Sequence, residues 1–237
     1  MLKLIPKLFQ GKEDMKHLNR KNNFIYLFVS LILFLFAAAL LADFSNLFSK
    51  GAFALVSLLM LLGSLRSLHR SQSWKYAIYI LFPVLLGLSL LEFFFPLKLY
   101  HFLVLSTLLL FFIGSFFAAM RQVLFEGDID ANKIIGSLTL YILLELIWAV
   151  IYMILLVIDP TAFSGIEVHS WQEAFSRVAY YSFVTLTTLC YGDILPKHHI
   201  AEFFAYMEAV FGVFYMAIIV SSLISLRLAD IQKEHRE

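Results

Sequence analysis

Long uninterrupted apolar runs are the feature of this sequence that most restricts its fold. A helix that spans a bilayer needs about 20 apolar residues, and runs of that length recur along the chain between charges or breakers such as Pro96. The chain is 61% hydrophobic and 15% charged over 237 residues, more apolar surface than a water-soluble domain of this size can bury. We therefore predict an all-α membrane protein with six transmembrane helices, at residues 24–42, 46–65, 76–95, 102–120, 134–158 and 201–226.

The positions of Lys and Arg predict how these helices are oriented. With a cytoplasmic N-terminus, fourteen of the 18 basic residues fall in cytoplasmic segments. The opposite side keeps four, namely Lys50, Lys98, Arg177 and Lys197. Since cytoplasmic loops are enriched in Lys and Arg, both termini are predicted to be cytoplasmic, and the segment between the fifth and sixth spans is predicted to face outward.

That segment has the pattern of a re-entrant hairpin. Ser170 is followed three residues later by Glu173, which is a capping box, and a helical pattern runs from Trp171 to Thr185. About 15 residues at about 1.5 Å each reach roughly 22 Å, enough to enter a membrane but not to cross it. Non-helical backbone at membrane depth is tolerated where it lines water or is buried in protein. A half-helix with an extended return through Pro196 is therefore typical of a pore.

The residues after this half-helix carry a family resemblance. The stretch "TTLCYGD", residues 187–193, resembles the potassium-channel filter sequence Thr-Val-Gly-Tyr-Gly-Asp. The surrounding "YYSFVTLTTLCYGDILP", "EAVFGVFYMAIIVSSLISL" and "YILLELIWAVIYMILLVIDP" are similar to small bacterial ion-channel proteins with two pore helices and additional N-terminal helices. The resemblance covers residues 130–228 well and the first 120 residues only by topology.

The resemblance implies a homotetramer around one axis, with K⁺ as the permeant ion and no cofactor. The carbonyls of the filter residues, with the Thr188 hydroxyl, would replace water around the ion; these residues are Thr188, Leu189, Cys190, Tyr191 and Gly192. The residues expected to support the filter are Thr187, Asp193, Tyr180, Tyr181, Thr185 and Glu208. The implied regions are a cytoplasmic segment (1–23), a four-helix transmembrane domain (24–122), a pore domain (130–228) and a cytoplasmic tail (229–237).

Cys190 departs from the family pattern, because it replaces the first filter glycine. Alternate residues of such a filter adopt left-handed dihedrals, which glycine enters freely and another L-residue adopts at a cost of about 1–2 kcal/mol. Three interpretations remain open: a potassium-selective filter with Cys190 packed behind it, a less selective or sodium-permeable pore, or a blocked pore. The thiol itself is either a tolerated substitution or a redox- or metal-sensitive gate; as the single cysteine it forms no intrachain disulfide.

The sixth span contains Gly212 at a position where inner helices of this family often carry a hinge glycine. Close packing against the pore helix is an equally good explanation, because small residues let backbones approach. On helical spacing, Val213, Met216 or Ala217, and Val220 are predicted to line the cavity below the filter.

Two glutamates lie inside apolar helices, where charges are costly and are usually paired, protonated or functional. We expect Glu208 to bond a hydroxyl of Thr185 or Tyr181 and brace the filter from behind, with a gating role as the alternative. Glu145 shares a helical face with Tyr141, Trp148 and Tyr152, a stripe that is predicted to pack toward the pore domain. Val184 stands where some relatives place a filter-bracing glutamate, so Tyr180 or Tyr181 is the expected partner of Asp193.

Two sensing mechanisms find little support in the sequence. A voltage sensor needs several Arg or Lys within one span, and the fourth span has none before Arg121. Histidine side chains in general titrate near neutral pH, and His198 and His199 are predicted to lie at the outer mouth. Exposed histidines are usually only hydrated, however, so a pH-sensing role is the weaker interpretation.

The sequence thus predicts a passive cation channel, most simply potassium-selective, rather than an enzyme. Its place would be the cell (inner) membrane, its partners the bilayer and its own copies, with no nucleic acid or soluble partner. A less selective cation channel is the alternative within this class, and a nonconducting membrane scaffold or receptor is the alternative from another class.

Overall fold

A computed structural model describes the chain at residues 23–42, 51–52, 55–57, 59–60, 63, 72–94, 98–125, 131–166, 170–222 and 224–225. Six α-helices run through these residues: α1 (Asn23–Ala42), α2 (Gln72–Phe94), α3 (Lys98–Phe125), α4 (Ala131–Ile158), α5 (Trp171–Leu186) and α6 (His199–Phe214). Helix α6 continues directly into a π-helical segment, Tyr215–Val220. The strands β1 (Phe163–Ser164) and β2 (Leu195–Pro196) are two residues each.

Four of the predicted spans coincide with helices long and apolar enough to cross a membrane. Within the described residues these are Phe24–Ala42, Lys98–Leu124, Asn132–Ile158 and His199–Val220. The predicted third span falls on α2, whose apolar stretch Tyr79–Leu88 is shorter. The predicted second span (46–65) lies largely outside the described residues, as do the predicted N-terminal segment before Asn23 and the tail at 229–237.

The short strands fix where the segment between α4 and α6 begins and ends. β1 follows the end of α4 and pairs antiparallel with β2, with Phe163 opposite Pro196 and Ser164 opposite Leu195. The Lys197 N–H also donates to the Ala162 carbonyl at 2.8 Å. Because β2 leads into α6, helix α5 and the residues after it enter and leave at the same end of α4. This is the geometry predicted for a re-entrant hairpin.

Helix α4 lies at the centre of the described helices. It packs against α1, α3 and α5, and α5 in turn packs against α1 and α6. Its middle is buried almost all round, from Ile142 to Leu146 and from Trp148 to Val150, as expected for a helix that is apolar on every face. Helix α2 packs mainly on α3, where the Trp74 ring lies over the bare backbone of Gly114.

Candidate functional site

Helix α5 begins and ends as its sequence predicts. The Ser170 hydroxyl accepts a hydrogen bond from the Glu173 N–H at 3.2 Å, and Ser170 has extended backbone, as an N-cap residue should. At the other end the Thr187 hydroxyl and N–H both donate to the Phe183 carbonyl. The last turn is therefore closed by Thr187, the first residue of the "TTLCYGD" motif. The negative end of the helix dipole lies next to this residue.

The backbone after α5 turns its N–H groups back toward the helix. The Thr188 N–H donates to the Thr185 carbonyl at 2.9 Å, and the Leu189 and Cys190 N–H groups both donate to the Val184 carbonyl, at 2.9 and 3.1 Å. Among the described residues, none donates a hydrogen bond to the carbonyls of residues 188–192. This stretch therefore presents backbone oxygens whose hydrogen-bonding capacity its own chain leaves unused.

The dihedral angles of this segment alternate. Thr188, Cys190 and Gly192 have φ of 59°, 40° and 76°, and Thr188 and Cys190 are the non-glycine residues of positive φ in the described chain. The family resemblance implied left-handed dihedrals at alternate residues and left open whether Cys190 adopts one; in this structure Cys190 does. Two side-chain-bearing residues in this region cost about 1–2 kcal/mol each, and strain of this kind concentrates at functional sites.

All seven residues of the motif, 187–193, are exposed in the single chain. The exposed fractions of Leu189 and Tyr191 are 57% and 66%, and Cys190 is a free, exposed cysteine. One chain alone therefore does not enclose the Cys190 thiol. Large apolar side chains exposed next to unpaired carbonyls are typical of a surface that another molecule covers.

Two tyrosines of α5 hold the motif from its own chain. The rings of Tyr180 and Tyr191 stack nearly parallel, at 4° and with centroids 6.4 Å apart. The Tyr180 phenol also lies close enough to the Asp193 carboxylate to interact with it, so of the two phenolic partners expected for that aspartate the nearer one is Tyr180. The Tyr181 phenol instead lies near Thr185.

The backbone at Asp193, where the chain leaves the motif, packs against a glycine that the sequence did not identify as a site residue. Gly165 has φ of 81°, and a Cβ on it would come within 2.1 Å of the Asp193 carbonyl oxygen. Only glycine fits this close approach in a left-handed conformation. The signal in the sequence was the "FSG" turn after the Asp159-Pro160 pair, but its contact with Asp193 is 28 positions away in the chain.

Glu208 braces α5 through partners other than those predicted. Its side chain is fully buried and accepts hydrogen bonds from the Ser182 hydroxyl and, at 2.5 Å, from the Tyr152 hydroxyl. The expected bond to Thr185 or Tyr181 was wrong, because the two oxygens of Glu208 accept from Ser182 and Tyr152 instead. Ser182 was missed since serine in a helix interior has no distinctive pattern; its hydroxyl also lies 3.0 Å from the Glu145 carbonyl.

The predicted polar stripe of α4 packs against the pore-side helices. The Tyr141 hydroxyl donates to the Leu186 carbonyl at 3.3 Å, Tyr152 bonds Glu208, and the Trp148 ring contacts Phe204 and Phe211 of α6. This confirms the orientation that the spacing of these aromatic residues predicted.

Gly212 allows two backbones to touch. A Cβ on this residue would come within 2.0 Å of the Leu186 carbonyl oxygen at the end of α5. Of the two explanations for this glycine, close packing therefore has direct support. The π-helical segment starts three residues later at Tyr215, whose hydroxyl donates to the Ser137 carbonyl at 2.5 Å.

A crevice of about 960 Å³ lies below the motif, between α4 and the α6–π segment. Thr187 and Thr188 of the motif are among the residues that line it. The predicted cavity residues Val213, Met216 and Val220 line it, together with Ala217 and Ile224. The crevice is open to the exposed side of the chain, the same side as the motif.

The outer histidines form contacts on the surface. His198 Nε2 lies 2.8 Å from Asp159 Oδ2 and His199 Nδ1 lies 3.2 Å from Glu202 Oε2. Asp159 also accepts hydrogen bonds from the hydroxyl and N–H of Thr161, which lower the pKa of its carboxyl, with His198 as a further cause. This cluster ties the C-terminal end of α4 to the start of α6.

Comparison with known families gives one match in this region. Residues 140–227 match the model of a family described as "Ion channel". Neither the curated proteins nor the solved structures gave a match. The matched range contains the end of α4, the re-entrant hairpin and α6, which are the elements that build the site described above.

The match supports an ion-channel function and a multi-pass membrane protein. An ion-channel domain also indicates a non-enzymatic protein, as the sequence predicted.

Proposed function

We propose that four copies of this chain form a passive potassium channel in the cell (inner) membrane. The filter would consist of residues 188–192 from each copy, with the carbonyls of Thr188, Leu189, Cys190 and Tyr191 and the Thr188 hydroxyl facing the ion. The observation that carries the proposal is the alternating backbone at Thr188, Cys190 and Gly192. The N–H groups of residues 188–190 donate to α5, while the carbonyls of residues 188–192 have no donor among the described residues.

The chemistry of this segment favours a cation. Carbonyl oxygens replace the hydration shell of a dehydrated ion in potassium filters, and the C-terminal end of α5 adds negative potential at Thr187. Asp193 adds a carboxylate at the outer mouth, next to Tyr180.

Several copies are required because one chain supplies one row of oxygens. A naked ion needs oxygens on all sides, so a single exposed row binds it poorly. The exposed Leu189 and Tyr191, the exposed Cys190 and the open crevice all lie where neighbouring copies would cover them. In a tetramer the crevice residues Val213, Met216 and Val220 would face the central cavity.

Potassium selectivity is proposed because Cys190 keeps the left-handed backbone that glycine would adopt there. The less selective or sodium-permeable pore would need this backbone to relax. Orientation with both termini in the cytoplasm follows from the positions of Lys and Arg.

Flux measurements in liposomes test this function directly. Protein reconstituted with a potassium, a sodium or a larger organic-cation gradient should pass potassium selectively. Equal potassium and sodium flux would replace the proposal by a less selective channel. Absence of flux under every gradient, with the protein shown to be inserted and oligomeric, would favour the nonconducting scaffold.

Two glycine variants provide a matched control. A Cβ on Gly192 and a Cβ on Gly87 both meet no atom within 4 Å, but only Gly192 has positive φ. Gly192→Ala should therefore abolish potassium flux through backbone strain alone, whereas Gly87→Ala in α2 should leave it unchanged. Equal flux in both variants would contradict the assignment of residues 188–192 as the filter.

A further inference from the structure

Two carboxyl groups lie fully buried behind the candidate filter. Glu145 of α4 and Glu208 of α6 both have 0% exposed surface, and they lie close enough for the charge of Glu208 to act on Glu145. Ser182 of α5 connects them, since its hydroxyl contacts the Glu208 carboxyl and the Glu145 backbone carbonyl. This cluster therefore lies where α4, α5 and α6 meet.

The two carboxyls differ in their hydrogen bonds. Glu208 accepts from two hydroxyls, those of Tyr152 and Ser182, which favours its ionised form. Neither oxygen of Glu145 has a hydrogen-bond partner among the described residues. Of the two buried acids, Glu145 therefore has the less favourable surroundings for a negative charge.

No basic group among the described residues lies at this level to neutralise both acids. Helix α1, which packs on α4 and α5, contains no charged residue. Lys133 lies in the first turn of α4, 12 residues before Glu145 and thus about 18 Å away along the axis. The basic residues of α3 lie toward its ends, and those of α5 and α6 are exposed. The remaining titratable groups that face the pair are Tyr141, Tyr152 and Tyr181, which are neutral donors.

We propose that Glu145 is a proton-binding site inside the membrane, next to the hydrogen-bonded carboxyl group of Glu208. An ionised Glu145 would have neither a donor nor a cation in an apolar interior, a situation that buried acids avoid by binding a proton. Loss of this proton would place an unpaired negative charge beside the Glu208 carboxyl and Ser182 and would weaken the contact that holds α5. The proton therefore locks the helix that carries the filter, whatever ion the pore conducts.

Infrared spectroscopy of the full chain in lipid vesicles tests this site without relying on ion flux. The wild-type spectrum at neutral pH should contain a C=O stretching band from the protonated carboxylic acid of Glu145, assignable by ¹³C-carboxyl labelling of glutamate. Glu145→Gln should abolish the band. The matched control is Glu202→Gln, an exposed glutamate on α6 paired with His199, which should leave the band unchanged.

The band should also shift in Glu208→Gln, because the neighbouring carboxyl group is replaced. If Glu145→Gln does not fold, titration of the wild-type band decides the question. The band should persist through the pH range in which exposed glutamates ionise, and it should disappear only at alkaline pH. Absence of the band at neutral pH, its survival in Glu145→Gln, or its loss when Na⁺ replaces an organic cation at constant pH would overturn the proposal; the last result would assign the site to an alkali cation.

Discussion

The two sides of helix α5 differ in how their polar groups are satisfied. Behind the helix, the Ser182, Tyr152 and Tyr141 hydroxyls have partners within the chain, and the surrounding residues are buried. In front of it, residues 187–193 are exposed, and the carbonyls of 188–192 have no donor among the described residues. The hydroxyl groups behind the hairpin therefore find their partners within one chain, with the Glu145 carboxyl as an exception, while the carbonyls in front need partners from another molecule.

Substitutions on the two sides of α5 should therefore affect different properties of the protein. Substitutions behind α5 should act on folding, because they break contacts that one chain makes. Substitutions in front should act on assembly and flux, with smaller effects on the single chain. Four variants test this separation.

The largest effect is expected for Gly212→Val. The added side chain would collide with the Leu186 backbone, 2.0 Å from its Cβ. Overpacking that forces a backbone shift typically costs about 1–3 kcal/mol and occasionally more, and a contact this short places the variant at the upper end. The midpoint of thermal unfolding in detergent should fall strongly, with loss of the assembled form. Gly87→Val, where a Cβ meets nothing within 4 Å, is the control; similar losses in both would show that helix propensity, not contact with α5, is responsible.

Tyr152→Phe should destabilise the back of the hairpin by a smaller amount. It removes one of the two hydroxyls that donate to the buried Glu208, and an unsatisfied buried acceptor costs about 1–3 kcal/mol. Tyr206→Phe, on the exposed side of α6, should leave the unfolding midpoint within error. A Tyr152→Phe protein as stable as wild type would mean that Glu208 does not depend on this donor.

Cys190→Gly tests the front of the hairpin. Glycine adopts the left-handed backbone freely, so the change should stabilise the filter by about 1–2 kcal/mol per chain and preserve or sharpen potassium selectivity in flux assays. Cys190→Ala keeps the Cβ and should give no such gain. Unchanged stability, flux and selectivity in Cys190→Gly would show that the side chain at this position does not control permeation.

Asp159→Asn should have the smallest effect, because the Asp159–His198 contact is half exposed and surface ion pairs contribute little. Thr161 lowers the pKa of the Asp159 carboxyl in the folded protein. Its contribution to stability is therefore present above the ordinary aspartate pKa and is lost as the pH falls through the lowered value. Wild type and variant should differ slightly in unfolding midpoint at neutral pH and converge in acid; a difference that grows in acid would contradict the assignment.

The sequence alone determined the elements with strong local signals. Apolar length predicted α1, α3, α4 and α6, because the cost of exposing backbone to lipid leaves few alternatives to a helix. The capping box at Ser170 predicted the start of α5, because it depends on residues close together in the chain. The resemblance of "TTLCYGD" implied an alternating backbone, but the conformation of Cys190 was left open.

The tertiary structure alone decided which distant groups meet. Ser182 and Tyr152 as partners of Glu208, Gly165 against Asp193, and Gly212 against Leu186 each join residues from different elements. Helical periodicity gives the face on which a residue lies, but not the rotation and depth at which two helices pack. A shift of one turn, about 5.4 Å, exchanges Ser182 for another hydroxyl on the same face, and only the packed backbone distinguishes them.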